Sequence, residues 1–225
     1  MKNCIRLILM LVLVSLPVLT ACAAQPASPA TGIVPADLLT IEAAAEDIID
    51  FAPSGNWDKI SKDVTDIEAA WKSYEPRSKQ DGAAQEIQNL MSSALAELEA
   101  ASQSRDASAV MQGSNNVSAA VVELFALYNP VTPVDIGRLD VLERQVILDV
   151  QAQDYAAAMK TMEKIRSVWE SVRASVLEHS GKDVAAQFEA SLEAQAAALD
   201  AKDIDALTRE ASDALELVDA LERSY

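Results

Sequence analysis

Hydrophobic side chains recur along this chain with the period of an amphipathic α-helix. Successive spacings alternate between three and four residues at Trp57, Ile60, Val64, Ile67, Trp71 and Tyr74. This alternation places the side chains on one stripe of a helix. A stripe of this kind forms the packing seam of an antiparallel bundle. The pattern therefore predicts an all-α fold built as one or more antiparallel helical bundles.

The stripe occurs a second time further along the chain. Moving the sequence by 98 positions places residues 37–75 on residues 135–173 without a gap, and Trp71 then falls on Trp169. The equivalent stripe consists of Tyr155, Ala158, Met162, Ile165, Trp169 and Val172. A nearly constant offset with a matched tryptophan pair indicates an internal duplication.

The second part of each repeat aligns with an offset of 97. Residues 83–128 then fall on residues 180–225, and Tyr128 meets Tyr225. We therefore place helical repeat 1 at residues 36–128 and helical repeat 2 at residues 134–225. The intervening Asn129-Pro130-Val131-Thr132-Pro133 is a stiff linker with two prolines.

Each repeat is predicted to contain four helices, so the chain holds internally duplicated four-helix units. In repeat 1 they are expected at about 36–52, 56–75, 82–102 and 106–127. In repeat 2 they are expected at about 135–152, 154–178, 182–200 and 203–224. The sequence leaves open whether the repeats form two small bundles or one fused helical body.

The expected helix ends have local causes. Asp106 and Asp203 are predicted N-caps, because a carboxylate accepts hydrogen bonds from free backbone N–H groups there. Gly181 is the expected left-handed C-cap of the sixth helix. Pro53-Ser54-Gly55 interrupts repeat 1, whereas the matching Gln151–Asp154 lacks proline and glycine. The duplication favours a turn at this place too, with Asp154 as N-cap.

Composition supports the helical interpretation and restricts the partners. The chain has only 6 Gly and 8 Pro, and its formal net charge is −17. A chain with this much negative charge repels phosphate groups. Nucleic acid is therefore not an expected partner. It attracts cations diffusely or docks a basic partner. The simpler interpretation is an acidic, well-solvated outer face.

The first 21 residues form a predicted signal peptide. Lys2 and Arg6 precede the apolar segment 7–19, which is shorter than a membrane-spanning helix. The next residues, Leu19-Thr20-Ala21-Cys22, resemble the bacterial lipobox. That resemblance implies cleavage before Cys22 and a diacylglyceryl group on its thiol. Residues 22–35, rich in Pro, Ala and Ser, then form a lipidated N-terminus and flexible tether.

Two other readings of the leader remain open. Ordinary signal peptidase cleavage after Ala23 also matches the small residues, and an uncleaved transmembrane anchor is the third possibility. In the lipoprotein reading the body is extracytoplasmic and membrane-anchored through Cys22. Cys4 lies in the leader, so no intrachain disulfide is expected after cleavage.

Residues for catalysis are sparse. His179 is the only histidine, and no HExxH motif, nucleophile elbow or Gly-rich phosphate loop occurs. We therefore expect no catalytic residues, no metal site, no cofactor and no enzymatic activity. His179 is expected to have a structural place at a helix end.

Two further groups have both a structural and a functional interpretation. Glu42, Glu46 and Asp50, beside Asp47, share one helix face, which either faces water or binds a hard cation. The aromatic residues form the core or line an apolar pocket: Trp57, Trp71, Tyr74, Tyr155 and Trp169. The segment 154–158 also resembles the opening of a helix in tetratricopeptide-like repeats, which adds slight weight to protein binding.

The sequence favours a membrane-anchored extracytoplasmic lipoprotein that acts as a non-catalytic, envelope-associated helical interaction module. In this interpretation its acidic surface docks a protein partner. The alternative is a solute- or cation-binding lipoprotein associated with a transporter. An enzyme is the third and least favoured class. The oligomeric state stays open.

Overall fold

The computed structural model describes residues 32–179 and 182–225, and within them it contains helices and no strand. The all-α prediction is confirmed. The α-helices of these ranges are α1 Ala36–Phe51, α2 Trp57–Ser78, α3 Gln85–Ser104, α4 Ala107–Phe125, α5 Val134–Gln151, α6 Tyr155–His179, α7 Lys182–Ala201 and α8 Ile204–Glu222. Short 3-10 helices at Ala52–Ser54 and Ala126–Tyr128 follow α1 and α4.

The predicted signal peptide, Cys22, most of the tether and Gly181 lie outside the described residues. Within the described ranges, no helix has the length and apolar character needed to cross a bilayer.

The two repeats form two bundles with separate cores. In repeat 1, α1 packs against α2 and α4, and α3 packs against α4. In repeat 2, α5 packs against α6 and α8, and α7 packs against α8. Each set of four helices encloses its own hydrophobic cluster. The bundles meet through α4 and α5, which answers the question left open by the sequence.

The backbone repeats with the offsets found in the sequence. α1 and α5, like α2 and α6, begin 98 residues apart, and the two later pairs begin 97 residues apart. The turns also correspond: Gly55 and Gln153 have φ values of 66° and 60°, and Arg105 and Lys202 have 54° and 55°. The predicted turn at Gln151–Asp154 is therefore present, although a glutamine occupies its left-handed position.

The predicted N-caps are confirmed. The carboxylates of Asp106, Asp154 and Asp203 each accept a hydrogen bond from the backbone N–H three residues on, at 2.9–3.0 Å. Each bond satisfies a donor that has no partner inside the helix.

The aromatic stripe belongs to the core, as its structural interpretation predicted. Trp71, Tyr74 and Trp169 are buried, and Trp57 and Tyr155 pack against the same clusters while half-buried. In repeat 1 the helices also approach closely, because a Cβ added at Gly113 would lie 2.9 Å from the Leu98 Cα.

The loop between α2 and α3 differs from expectation. α2 continues to Ser78, beyond the predicted end at 75, and α3 begins at Gln85 instead of 82. Pro76 removes one backbone N–H but allows the helix to continue for a final turn. The ion pair of Arg77 with Asp81, at 2.7 Å, supports this end, and Gly82 with φ 98° completes the turn.

Candidate functional site

On one side, the two repeats are in contact through a row of polar side chains on α4 and α5. The Asn115 side-chain amide donates to the Val141 carbonyl at 3.1 Å, and Gln112 and Gln145 exchange hydrogen bonds at 2.9 and 3.0 Å. These bonds join α4 to α5. We call this contact the α4–α5 seam.

A bidentate ion pair extends the seam. The Arg138 guanidinium donates to both Glu123 carboxylate oxygens at 2.7 Å and to Asp135 at 2.6 Å. Gly137, one residue before, lets α5 lie close to α4, since a Cβ there would be 3.2 Å from a Val122 methyl. The two bundles are therefore held together at a defined place along two helices.

The repeats stay apart on the opposite side. α8 does not approach α1 as closely as α5 approaches α4, so a groove remains between them. We call this the inter-repeat groove: α1 and α8 form its sides, and α4 and α5 form its base. It contains a wide outer part, a central cavity and an upper part beside the linker.

The outer part of the groove combines an apolar base with an acidic rim. It has a volume of about 440 Å³. Its apolar side chains include Ile49, Met111, Ile147, Leu148 and Leu215. Its acidic side chains are Glu46, Asp50, Asp140, Glu216 and Asp219, and the only basic side chain among the described residues that line it is Arg144. Such a surface suits a positively charged, partly apolar occupant.

The central cavity is smaller, with a volume of about 140 Å³, and is mostly polar. All four inner helices contribute to it: Glu42 and Glu46 from α1, Ser118 from α4, Asp140 and Arg144 from α5, and Glu222 from α8. Arg144 donates to Glu46 at 3.1 Å and forms an ion pair with Asp140 at 2.5 Å. Within residues 32–179 and 182–225, Glu42 and Glu222 have no hydrogen bond or ion pair.

Burial and mutual repulsion make these carboxyl groups weak acids. Loss of hydration raises the pKa of Glu42 to about 7, and the negative charges of Glu46, Glu222 and Asp140 add to the shift. Burial likewise raises the pKa of Asp140 to about 7, although the positive charge of Arg144 opposes the shift. Glu222 is exposed as a residue, but partial desolvation of its carboxyl group and the charges of Asp219 and Glu46 raise its pKa, against the positive charges of Arg144 and Arg223. A cation in the cavity would reverse this effect, because it stabilises the ionised carboxylates.

A second depression lies on the other side of the α4–α5 seam. It has a volume of about 310 Å³ and is mainly apolar, with Val122, Val141, Leu142 and Val168 in its wall and Lys164 and Arg138 nearby. It carries both charge signs, so its electrostatic preference is weaker than that of the inter-repeat groove.

The acidic face predicted on α1 is present, but its setting differs from a simple solvated face. Glu42 is half-buried, and all three carboxylates turn toward the other repeat, where Glu46 and Asp50 line the outer groove. Asp47 lies elsewhere and pairs with Lys59 at 2.7 Å. Among residues 32–179 and 182–225, no group of three or more His, Cys, Asp or Glu side chains is arranged to hold a metal ion.

His179 lies apart from this groove. It is the last residue of α6, is exposed, stacks on the Tyr225 ring at 4.6 Å and has its Nδ1 atom 2.9 Å from the Ser175 carbonyl. These contacts correspond to the structural place expected for it at a helix end.

Asp140, Arg144, Glu222 and Ser118 were not among the sequence candidates. The duplication contained a signal for the first two, because Asp140 aligns with Glu42 and Arg144 aligns with Glu46. Equivalent positions of the two repeats therefore face each other across the junction. Glu222 and Ser118 have no such signal, since their equivalents are Phe125 and Leu215.

No protein-family model, no curated protein and no solved structure matches this chain.

Proposed function

We propose that this protein is a lipid-tethered, extracytoplasmic interaction module whose inter-repeat groove docks a basic segment of a protein partner. The observation that carries the proposal is the composition of the outer groove. Five carboxylates surround an apolar base, and one arginine is the only basic side chain among the described lining residues.

The chemistry of the groove suggests the form of the partner segment. Apolar side chains at its base, such as Ile49 and Leu215, can receive one face of an amphipathic helix. The acidic rim would then attract lysine and arginine residues on the flanks of that helix. Complementary charge of this kind mainly accelerates encounter and selects the partner, while apolar contact slows dissociation.

The tether part of the proposal comes from Leu19-Thr20-Ala21-Cys22 and the spacer after it. Two or three acyl chains on Cys22 would anchor the protein stably, whereas a single chain binds membranes only weakly. A flexible spacer would let the groove face a partner away from the acidic lipid headgroups.

Docking can be tested with a fluorescent, lysine-rich amphipathic peptide and the soluble body of residues 32–225, with anisotropy as readout. The variant Asp50→Asn/Glu216→Gln/Asp219→Asn removes three rim charges. The matched control Glu68→Gln/Glu163→Gln/Asp183→Asn removes three exposed charges from α2, α6 and α7. We expect a saturable complex that the rim variant weakens by about tenfold or more at low salt and the control leaves nearly unchanged. Equal weakening by both variants would overturn the docking site.

The anchor has a separate test. Intact-mass spectrometry of the membrane fraction is expected to show a mature N-terminus at Cys22 with added acyl mass. Cys22→Ala is expected to remain as the full-length precursor. If the variant matures like the wild type, or the wild type has an unmodified N-terminus, the lipid tether is wrong.

A further inference from the structure

Some polar side chains that line the central cavity form no hydrogen bond or ion pair among the described residues. Ser118 is 96% buried, and its hydroxyl has no hydrogen-bond partner although it lies on the wall of the cavity. A buried hydroxyl without a partner has lost its hydration without compensation, so such a group calls for an occupant or a role.

The cavity also has an excess of negative charge. Arg144 forms ion pairs with Glu46 and Asp140, so its charge is shared between two carboxylates. Glu42 and Glu222 have no ion pair among the described residues, and each comes from a different repeat. The buried, unpartnered hydroxyl of Ser118, the half-buried Glu42 and the exposed Glu222 line the same cavity.

We propose that the central cavity binds a single primary ammonium group, supplied by a lysine side chain or by a small alkylamine. The ammonium has three N–H donors and no acceptor, which matches Glu42, Glu222 and the Ser118 oxygen as three acceptors. The volume of about 140 Å³ suits the end of an aminoalkyl chain, because one water occupies about 30 Å³ in the liquid. For a lysine source, this inference rests on the proposed docking of a basic segment.

The same groups predict that binding depends on pH. The charged groups facing Glu42 are Glu46 on α1, Asp140 and Arg144 on α5 and Glu222 on α8. For Asp140, Asp219 on α8 is an additional neighbour. Burial raises the pKa of both Glu42 and Asp140 to about 7, so without an ammonium these carboxyl groups bind protons at pH 6 and release them above pH 8. The ammonium replaces these protons, and its affinity therefore rises with pH.

Isothermal titration calorimetry of the soluble body with n-butylamine tests the site without any peptide. We expect one saturable site whose affinity increases by about tenfold per displaced proton between pH 6 and pH 8. The matched neutral ligand n-butanol and the bulkier n-butyltrimethylammonium are expected to bind at least about tenfold more weakly, since neither offers three N–H donors. Equal binding of all three ligands, or displacement of n-butylamine by equimolar calcium, would overturn the proposal.

Two variants localise the site: Ser118→Ala removes the hydroxyl acceptor, and Glu42→Gln removes a negative charge while keeping an amide oxygen. Each is expected to reduce n-butylamine affinity by about tenfold, since a charged acceptor binds an ammonium more tightly than a neutral one and a lost acceptor leaves one N–H donor unpaired. Glu163→Gln, an exposed change on α6, is the matched control and should have no effect. Circular dichroism melts of each variant establish that it is folded. Unchanged affinity in folded Ser118→Ala and Glu42→Gln proteins would place the amine elsewhere and refute the site.

The peptide and amine arms distinguish the two proposals. If n-butylamine binds as described but the lysine-rich peptide does not, the ammonium site stands and the docking role fails. If the peptide binds, and folded Ser118→Ala and Glu42→Gln proteins bind it as tightly as the wild type, docking stands and the ammonium site is wrong. Replacing each peptide lysine with arginine sharpens the second case, because the ammonium site predicts weaker binding of that peptide.

Discussion

The two repeats share a backbone framework but differ where they meet. Ser73 donates to Asp37 at 3.2 Å in repeat 1, and the equivalent Ser171 donates to Asp135 at 2.6 Å in repeat 2. Caps, turns and helix starts correspond in the same way. Residues that define the four-helix unit are thus retained on both sides, whereas the junction depends on residues that are not.

The difference is clearest between α4 and its counterpart α8. α4 presents small and polar residues to the other repeat, including Asn115 in the seam and Ser118 in the cavity. α8 has Ser212 and Leu215 at the equivalent positions. The α4 face packs closely against the other repeat, whereas the α8 face does not. The inter-repeat groove is therefore a consequence of sequence differences between the repeats.

The cores differ as well. Glu143 and Gln195 are both fully buried in repeat 2, where the aligned residues of repeat 1 are Ala45 and Leu98. Neither Glu143 carboxyl oxygen has a hydrogen-bond partner of good geometry among the described residues. Burial raises the pKa of Glu143 to about 8, the Gln195 amide opposes the shift, and the charge of Asp140 adds to it. Repeat 2 therefore contains a destabilising polar pair that repeat 1 lacks.

The largest expected effect tests whether the shared framework is equally important in both bundles. Trp71→Ala and Trp169→Ala each remove a buried aromatic side chain, so each should lower the free energy of unfolding by about 3–5 kcal/mol. Urea denaturation followed by circular dichroism at 222 nm measures both. A loss below about 1 kcal/mol in either variant would contradict the equivalent core positions.

The buried polar pair of repeat 2 should respond in the opposite direction. Glu143→Met/Gln195→Met replaces both groups with apolar side chains of similar length, and we expect about 1–3 kcal/mol of added stability at pH 8. Since the folded state binds the Glu143 proton more tightly, wild-type stability falls as pH rises from about 4.5 to about 8.

The pH dependence gives this prediction a control. The stability of the double variant should also decline over this pH range, but less steeply than that of the wild type. Some decline remains because Glu42, Asp140 and Glu222 also have raised pKa values. Thermal melts at half-unit pH intervals measure the slope. An unchanged slope in the variant would mean that Glu143 does not titrate as described.

Two glycines distinguish close packing inside a repeat from packing between repeats. Gly113→Ala forces a Cβ to 2.9 Å from backbone Leu98, and we expect a loss of about 1–3 kcal/mol. Gly137→Ala meets a Val122 methyl at 3.2 Å, which can rotate away, so the loss should be below about 1 kcal/mol. Denaturant midpoints of both variants measure the difference. The reverse order would contradict the tight α3–α4 approach.

The smallest effect concerns the helix caps. Asp106→Ala and Asp203→Ala each leave one backbone N–H without its acceptor, and each should cost about 1 kcal/mol. Because the caps lie in separate bundles, the double variant should lose the sum within about 0.5 kcal/mol. Differential scanning calorimetry checks additivity. Strong non-additivity would indicate that the repeats unfold as one coupled unit at these ends.

Much of the fold follows from local sequence signals. The apolar stripe through Trp71 located a helix and its buried face, and the aspartate caps located three helix starts. The duplication predicted the turn before Tyr155, where no proline or glycine marks it. The predicted end of α2 at 75 was too early, because the helix continues through Pro76 to Ser78 although a proline usually ends a helix.

The site was less accessible to sequence reasoning. The pattern showed that Glu42 and Glu46 share a face, yet it could not show what the face meets. That depends on how closely α5 approaches α4, which the contact of Gly137 with Val122 and the Asn115 hydrogen bond determine. Glu222 enters the cavity only because the open side of the junction brings α8 opposite α1.

The most direct test of the account is a chemical-shift map of where the lysine-rich peptide binds. In ¹H–¹⁵N spectra of residues 32–225, we expect saturable shifts on α1, α5 and α8 around Glu46, Asp140 and Glu216, with few on α2, α3, α6 and α7. Shifts concentrated on those outer helices, or shifts that spread evenly over the acidic surface, would contradict a docking groove between the repeats.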